Sequence, residues 1–123
     1  MATLLASLSH RWPQRLARVQ DYIEHNLGEA ISLEDLARVA GVSRFHFARQ
    51  FRARTGESPM EYLLRARVER GKALLRDSRA RLVDISAELG FADQSHFART
   101  FRRLVGVAPS AYARNHLSNG AAA

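Results

Sequence analysis

Apolar residues recur three and four positions apart along most of the chain, which is the spacing of one face of an α-helix. Residues 13–26 show the pattern clearly, with Leu16, Val19, Tyr22 and Ile23 on one side. No stretch alternates apolar and polar residues in the way that a half-buried strand does. The pattern therefore predicts an all-α fold whose first helix covers residues 13–26.

The chain contains an internal repeat. Residues 46–63 match residues 96–113 at a constant offset of 50, and nine of the 18 paired positions are identical. Upstream the match continues at an offset of 49, where Gly41 pairs with Gly90. Two copies are too few for a solenoid, so the repeat predicts two similar small modules in tandem.

Each copy has the pattern of two helices joined by a tight turn. In the first copy, Ser32 is placed to cap a helix that Gly41 ends, and Ser43 is placed to cap the next helix. The second copy predicts helices near residues 82–89 and 94–104. Two helices joined in this way make a helix-turn-helix.

A longer helix is predicted between the two copies. Ser58 and Pro59 are a typical cap and first helical residue, and apolar residues continue at helical spacing to about Arg76. The 18 residues 59–76 would form a rod of about 27 Å. Gly71 lies inside this helix, where it costs about 1 kcal/mol relative to Ala, so we expect close packing or a slight bend there.

These elements suggest two helix-turn-helix subdomains joined by a long linker helix, with a short helix from Pro109 completing the second copy. The expected segments are an N-terminal flexible arm at residues 1–12, the first subdomain at 13–58, the linker helix at 59–76, the second subdomain at 77–115 and a flexible tail at 116–123.

The charge of the chain points to a polyanionic partner. Lys and Arg number 19 against 12 Asp and Glu, which gives a formal net charge of +7, and this balance is typical of nucleic-acid binding. The second helix of each copy carries arginines and no acidic residue, namely Arg44, Arg49, Arg52 and Arg54 in the first and Arg99, Arg102 and Arg103 in the second. The linker helix adds Arg65, Arg67 and Arg70, and we expect all ten to contribute to electrostatic binding.

Several other functions have little support. The chain has no Cys, which excludes disulfides, a Cys-ligated zinc site and a Cys nucleophile. No apolar run approaches the ~20 residues that cross a bilayer. His46 and His96 recur in register, but two histidines without Cys or nearby carboxylates make a poor metal site. Scattered Ser, His and Asp residues do not make a triad, so we expect no catalytic residues, no metal and no cofactor.

Helical spacing separates a buried face from an exposed face on each second helix. Phe47 and Phe51 are four residues apart and predict the buried face near residues 44–55, and Phe97 and Phe101 predict the buried face near residues 94–104 in the same way. The side of the first of these helices largely opposite its two rings carries Phe45, Ala48, Arg49 and Arg52. The repeat places Ser95, Ala98, Arg99 and Arg102 at the equivalent positions of the second copy. A charged stripe on one helix is usually a solvated face. Because the same stripe recurs on the same helix of both copies, DNA binding is favoured over a protein-interaction or membrane-surface module.

The predicted linker helix also suits a duplex. Successive major-groove faces of DNA lie about 34 Å apart, which is close to the length of the rod over residues 59–76. Two reading helices held by this rod would enter adjacent grooves on one face of a duplex, and DNA bending would make up the difference in length.

The motifs that carry a family resemblance are Leu36-Ala37, Gly41-Val-Ser43, the Phe47/Phe51 pair, Gly56-x-Ser-Pro59-x-x-Tyr62-Leu63 and Gly90-Phe91-x-Asp-Gln-Ser95-x-Phe97-x-Arg99-x-Phe101-x-x-x-x-Gly106-x-x-Pro109-x-x-Tyr112. Together they resemble the DNA-binding domain of the AraC/XylS family of bacterial transcription regulators. The similarity covers residues 16–114, and the second long motif is highly specific. It implies seven helices, with two helix-turn-helix units bridged by the long helix and bound in adjacent major grooves.

The resemblance also implies roles for individual residues. Base contacts map onto Phe45, Ala48, Arg49, Gln94, Ser95, His96 and Arg99, and phosphate contacts map onto Arg44, Arg52 and Arg102. The chain departs from the family pattern in three places. Ala48 is too short to hydrogen-bond a base and offers only apolar contact, for instance to a thymine methyl. Ser86 stands where the first copy has Ala37, and Arg81 stands where a capping Ser or Thr is common.

Further expectations follow from the same resemblance. They are a promoter or operator as double-stranded DNA partner, activation through contact with RNA polymerase, and a cytoplasmic location at the nucleoid. The family usually adds a ligand-sensing domain, for which no residues remain here, so the chain is either a stand-alone regulator without an effector domain or an excised domain. We expect a monomer, because two reading helices already lie in tandem and the chain has no leucine-zipper heptads.

Overall fold

Seven α-helices make up the regular structure that the computed structural model describes, which covers the backbone of residues 11–122 and the side chains of residues 11–116. The helices are α1 (Trp12–His25), α2 (Leu33–Ala40), α3 (Arg44–Thr55), α4 (Pro59–Asp77), α5 (Leu82–Glu88), α6 (Gln94–Val105) and α7 (Pro109–Ala122). The described residues contain no strand. The all-α fold with about seven helices is therefore confirmed.

The described residues divide into two compact units. The first unit comprises residues 11–26 and Ile31–Leu63, and the second unit comprises Leu27–Ala30 and residues 64–122. The boundary lies inside α4, so the first turn of this helix belongs to the first unit and the rest to the second. The short connection after α1 belongs to the second unit, although the helices on both sides of it belong to the first.

The first unit forms its helix-turn-helix at the residues that the sequence predicts. The Ser32 Oγ accepts from the Asp35 backbone N–H at 3.1 Å, and the Asp35 carboxylate accepts from the Ser32 backbone N–H at 2.9 Å, which makes a capping box for α2. These hydrogen bonds, with Arg38 nearby, hold the pKa of Asp35 below its usual value. Gly41 ends α2 in the left-handed region, with φ +77°, and Ser43 caps α3.

The first unit buries apolar residues from all of its helices. They are Trp12, Val19, Ile23, Ile31, Leu36, Ala37, Ala40, Phe47, Phe51 and Leu63. Trp12 differs from expectation, because the sequence predicts a flexible arm at residues 1–12. In the structure α1 begins at Trp12, whose side chain is only 5% exposed. Residues 1–10 of that arm lie outside the described part of the chain.

The second unit packs around the phenylalanines of α6. Its buried apolar residues are Val68, Leu75, Ile85, Leu89, Phe91, Phe97, Phe101 and Tyr112. The Phe97 and Phe101 rings meet edge to face at a centroid distance of 5.6 Å, and Phe101 meets Tyr112 in the same way at 5.4 Å. This chain of rings joins α6 to α7 and fixes which face of α6 remains exposed.

The departures from the family pattern in the second unit have local explanations. Arg81 stands at the N-cap of α5 without a side-chain cap bond, and its Nε donates to Asp84 in the first turn at 3.2 Å. Ser86 is buried, and its hydroxyl donates to the Leu82 carbonyl at 2.7 Å, which satisfies the polar atom inside the helix. Asp93 caps α6 by accepting from the His96 backbone N–H at 2.7 Å.

The long helix α4 confirms one expectation and corrects another. A Cβ on Gly71 would lie 3.1 Å from Leu89 and 3.2 Å from the Phe97 ring, so this glycine marks close packing. Arg67, expected to contribute to electrostatic binding, is buried at 8% exposure. Its guanidinium donates to the backbone carbonyls of Leu27 at 3.0 Å and Glu29 at 2.8 Å, and burial lowers its pKa. It therefore holds the Leu27–Ala30 segment and is not available to a phosphate.

The last helix is longer than expected. The sequence predicts a short helix from Pro109 and a flexible tail at residues 116–123, whereas α7 continues to Ala122. Alanine has the highest helix propensity, and no proline interrupts this stretch. One glycine within it, Gly120, costs only about 1 kcal/mol.

Candidate nucleic-acid interface

The exposed side of α3 carries the residues that the sequence assigns to DNA in the first unit. Phe45, Arg49 and Arg52 are exposed and Ala48 is half-buried, while Phe47 and Phe51 are fully buried. Residues three and four apart share a face of a helix, so Phe45, Arg49 and Arg52 line one side. Among the described residues Phe45 is the most exposed large apolar side chain, at 72%, so most of its surface is open to a partner.

Arg44 begins α3 and already has two neighbours. Its Nη1 donates to the Glu34 carboxylate on α2 at 3.1 Å, and its guanidinium lies 5.0 Å from the Phe45 ring centroid. Both members of the Arg44–Glu34 pair are largely solvent-exposed. The arginine is therefore held at the start of the helix, where it could exchange the carboxylate for a phosphate.

The exposed side of α6 carries the equivalent residues of the second unit. Gln94, Ser95, Arg99 and Arg102 are exposed, and the helix begins directly at Gln94 after the Asp93 cap. His96 is only half-exposed, because its ring meets Phe91 edge-on at a centroid distance of 5.1 Å. The polar and cationic groups of this face thus begin in the first turn and continue for two further turns.

The repeat produces the same division of faces in both units. Phe47, Phe51, Phe97 and Phe101 all have 0% exposure, so the prediction that these four rings are core residues is confirmed. The arginine pairs Arg49/Arg52 and Arg99/Arg102 lie on exposed positions. Each unit therefore presents a helix whose buried face is aromatic and whose outer face is cationic.

Two residues that contact α3, Trp12 and Glu34, are not among those that the sequence predicts for this site. Trp12 packs its ring against His46 at a centroid distance of 5.6 Å, and a signal for it existed because Trp12 extends the apolar stripe of α1 by one turn. Glu34 pairs with Arg44 across the turn between α2 and α3. No sequence signal identified this pair, since the two residues are ten positions apart on different helices.

The described residues show no candidate metal site and no candidate membrane-spanning helix. Among them, no three His, Cys, Asp or Glu side chains gather in a way that would hold a metal ion. In the same part of the chain, none of the helices has the length and apolar character needed to span a bilayer.

Comparison with known proteins agrees with the geometry. A family model described as a helix-turn-helix domain matches residues 36–115. The transcriptional activator NphR from Rhodococcus is 38% identical over 121 residues, which cover 98% of this chain and 35% of that protein. The HTH-type transcriptional activator AarP from Providencia stuartii is 31% identical over 97 residues, which cover 79% of this chain and 72% of AarP. The chain thus spans about a third of NphR but most of AarP.

A solved structure gives the same result at the level of the fold. The DNA-binding domain of the global transcriptional factor AdpA, determined in complex with a target DNA, superposes with a TM-score of 0.79 at 33% identity, over 85% of this chain and 94% of that one. A DNA-binding transcription regulator is therefore the class of protein that the fold and the exposed arginines define. An AraC-type transcriptional regulator from Chromobacterium violaceum also superposes with a TM-score of 0.80 at 29% identity, over 85% of this chain and 93% of that one. The chain belongs to the AraC family of helix-turn-helix transcriptional regulators.

Proposed function

We propose that this chain recognises a specific double-stranded DNA sequence with α3 and α6, each placed in one of two adjacent major grooves. The observation that carries the proposal is the repeated outer face, with Arg49/Arg52 on α3 and Arg99/Arg102 on α6. A helix of this kind fits the major groove, and arginine forms paired hydrogen bonds with guanine O6 and N7. The subdomains that would carry the two readers are residues 13–58 and 77–115, with 59–76 as linker.

In this proposal the first part of each reading helix contacts base edges. The residues assigned to bases are Phe45, Ala48 and Arg49 in the first unit and Gln94, Ser95, His96 and Arg99 in the second. Phe45 and Ala48 would supply apolar contact to thymine methyl groups, and Gln94 would donate to and accept from an adenine edge. His96 is half-buried against Phe91, so only the exposed part of its ring would reach a base.

The phosphate contacts in this proposal come from Arg44, Arg52 and Arg102. Arg44 lies at the N-terminus of α3, where backbone N–H groups also favour a phosphate. Arg52 and Arg102 lie in the last turn of their helices, where a reading helix leaves the groove beside the DNA backbone. Contacts of this type set the register and supply affinity without reading sequence.

The regulatory direction that we propose is activation through contact with RNA polymerase at a promoter. The support is that NphR and AarP are both named as transcriptional activators.

We propose that the chain acts as a monomer in the cytoplasm, at the nucleoid, because one chain already holds two readers. Sedimentation of the free protein should give a monomer, and a tight dimer together with a palindromic binding site would contradict this.

Salt dependence tests the proposal against the alternative of an anionic-membrane module. If about six to eight phosphates are neutralised, a plot of log K against log salt for duplex DNA should have a slope near −5 to −7. Vesicles containing an anionic lipid serve as the control polyanion. Tight, salt-sensitive binding to duplex and weak binding to vesicles is the expected result, whereas a slope near zero or a preference for vesicles would remove the DNA proposal.

A further inference from the structure

Trp12 lies at the centre of a cluster on one flank of α3. Its indole is 5% exposed and contacts the His46 ring, which belongs to the first turn of α3, at a centroid distance of 5.6 Å. The Arg54 guanidinium, in the last turn of the same helix, lies 5.5 Å from the indole centroid. One side chain at the start of α1 therefore touches both ends of the first reading helix.

A second arginine connects this cluster to the turn. The Arg15 guanidinium lies 5.8 Å from the Trp12 ring, and its Nη1 donates to the backbone carbonyl of Ala40 at the end of α2. A Cβ placed on Gly41 would lie 3.1 Å from Arg15 Nη1. The guanidinium thus fills the space beside the turn glycine and lies within cation–π range of the indole.

The second unit contains the same arrangement, assembled from different parts of the chain. Phe91 meets the His96 ring at 5.1 Å, and the Arg67 guanidinium lies 6.0 Å from the Phe91 ring. A Cβ on Gly90 would lie 2.9 Å from Arg67 Nη2. Both units therefore share one set of four groups in contact. The groups are a turn glycine, an arginine from the preceding long helix, an aromatic ring and the histidine at the third position of the reading helix.

The difference between the units identifies the special role of Trp12. The repeat pairs Val42 with Phe91 at an offset of 49, and valine has no ring to offer His46. In the first unit the ring comes from Trp12 instead, 30 positions upstream of Val42. Trp12 also lies outside residues 36–115, which the family model matches.

We propose that Trp12 is a positioning residue that sets the orientation of α3 for DNA reading, as Phe91 does for α6. The inference rests on the proposed function, since it needs α3 to read bases. Trp12 acts through His46 and Arg54 and does not touch DNA itself. Because Phe45 and Arg49 are carried by the same rigid helix, a change in how the indole holds α3 displaces them together.

The test compares variants of the full chain on three duplexes. The duplexes are the complete site selected by the wild-type protein, the same site with the first half-site scrambled, and the same site with the second half-site scrambled. The variants are Trp12→Leu, which keeps an apolar group but removes the ring, Trp12→Phe, which restores a ring, and Phe91→Leu as the matched change in the second unit. Melting temperatures accompany each variant.

Trp12→Leu should weaken binding to the complete site about 2- to 30-fold, while its binding to the duplex without the first half-site should equal that of the wild type. Trp12→Phe should recover most of the loss. Phe91→Leu should show the reverse dependence on half-sites. Wild-type behaviour of a folded Trp12→Leu variant, or an equal loss on all three duplexes, would overturn the inference. A wild-type protein that does not distinguish the three duplexes would instead overturn the proposed function.

A second measurement covers the case in which Trp12→Leu does not fold. Trp12 is the chain's one tryptophan, so the emission of the wild-type protein reports on this cluster directly. Binding to a duplex that holds the first half-site should change the emission, and binding to a duplex that holds only the second should not. Unchanged emission on the complete site would overturn the inference without any variant.

Discussion

Arg44 Nη1 donates to Glu34 Oε1 at 3.1 Å, so an arginine assigned to a DNA phosphate has an acidic partner within its own unit. Binding of the phosphate would have to replace this carboxylate. The pair is exposed and is worth about 0.2–1 kcal/mol, which makes the exchange easy. If Arg44 binds a phosphate as proposed, Glu34 should therefore lower DNA affinity, both by occupying Arg44 and by repelling phosphate.

The corresponding prediction is that Glu34→Gln binds duplex DNA more tightly, by about two- to fivefold at low salt. Fluorescence anisotropy with a labelled duplex measures the change. Glu69→Gln is the matched control, because it removes an acid from an exposed pair with Lys72, which is not a proposed phosphate ligand. An equal gain in both variants would mean that only net charge matters, and no gain for Glu34→Gln would contradict the role of Arg44.

Phe51→Ala and Phe45→Ala make the same chemical change on opposite faces of α3. Phe51 is fully buried, so its truncation should lower the free energy of unfolding by about 3–5 kcal/mol. Phe45 is exposed, so its truncation should leave stability nearly unchanged and weaken DNA binding. Urea denaturation together with a binding titration separates the two effects. If Phe51→Ala kept its stability but lost DNA binding, the faces of the helix would be reversed.

Gly71→Ala should destabilise the second unit even though alanine favours a helix. The new methyl group would press on Leu89 and Phe97, which are fully buried and have little room to move. Overpacking costs about 1–3 kcal/mol, against a gain in helix propensity of about 1 kcal/mol. A lower denaturant midpoint is expected. An increased midpoint would show that the packing around α4 is looser than these distances indicate.

Asp35 should make the first unit sensitive to acid. Its pKa is lowered in the folded protein, first by the hydrogen bond from the Ser32 backbone N–H. A carboxylate with a lowered pKa contributes stability above its unfolded value and loses that contribution as the pH falls through its folded value. Asp35→Asn should therefore be less stable than the wild type near pH 7, and the difference should shrink as the pH falls below the usual carboxyl pKa and through the lowered pKa of Asp35. A difference independent of pH would contradict this explanation.

The elements that the sequence predicts correctly depend on local rules. Ser32 and Ser43 cap the helices expected of them, and Phe47 and Phe51 are buried, because capping and helical spacing act within a few residues. The internal repeat carries the same inference over to Phe97 and Phe101. The roles of individual arginines toward bases or phosphates remain predictions.

The features that the sequence does not reveal depend on distant partners. Arg67 belongs to a run of arginines that the sequence predicts to be exposed. In the structure it is buried, and its guanidinium donates to the carbonyls of Leu27 and Glu29, about 40 positions away. Charge and periodicity give no information on such a contact. Trp12 is different, because its spacing from Val19 and Ile23 on α1 is helical, so the apolar stripe could have been extended by one turn.

The most direct test of the central claim is the selection of bound sequences from a random duplex pool. The proteins compared are the wild type and the variants Arg49→Ala, Arg99→Ala and Arg52→Ala. The wild type should select two base patterns about one helical turn apart. Arg49→Ala should lose about 1–3 kcal/mol and relax one or two positions of one pattern, Arg99→Ala should do so in the other pattern, and Arg52→Ala should weaken all sequences nearly equally. If Arg49→Ala and Arg99→Ala weakened random and selected DNA alike and left the selected sequence unchanged, the claim that α3 and α6 read bases through these two arginines would be wrong.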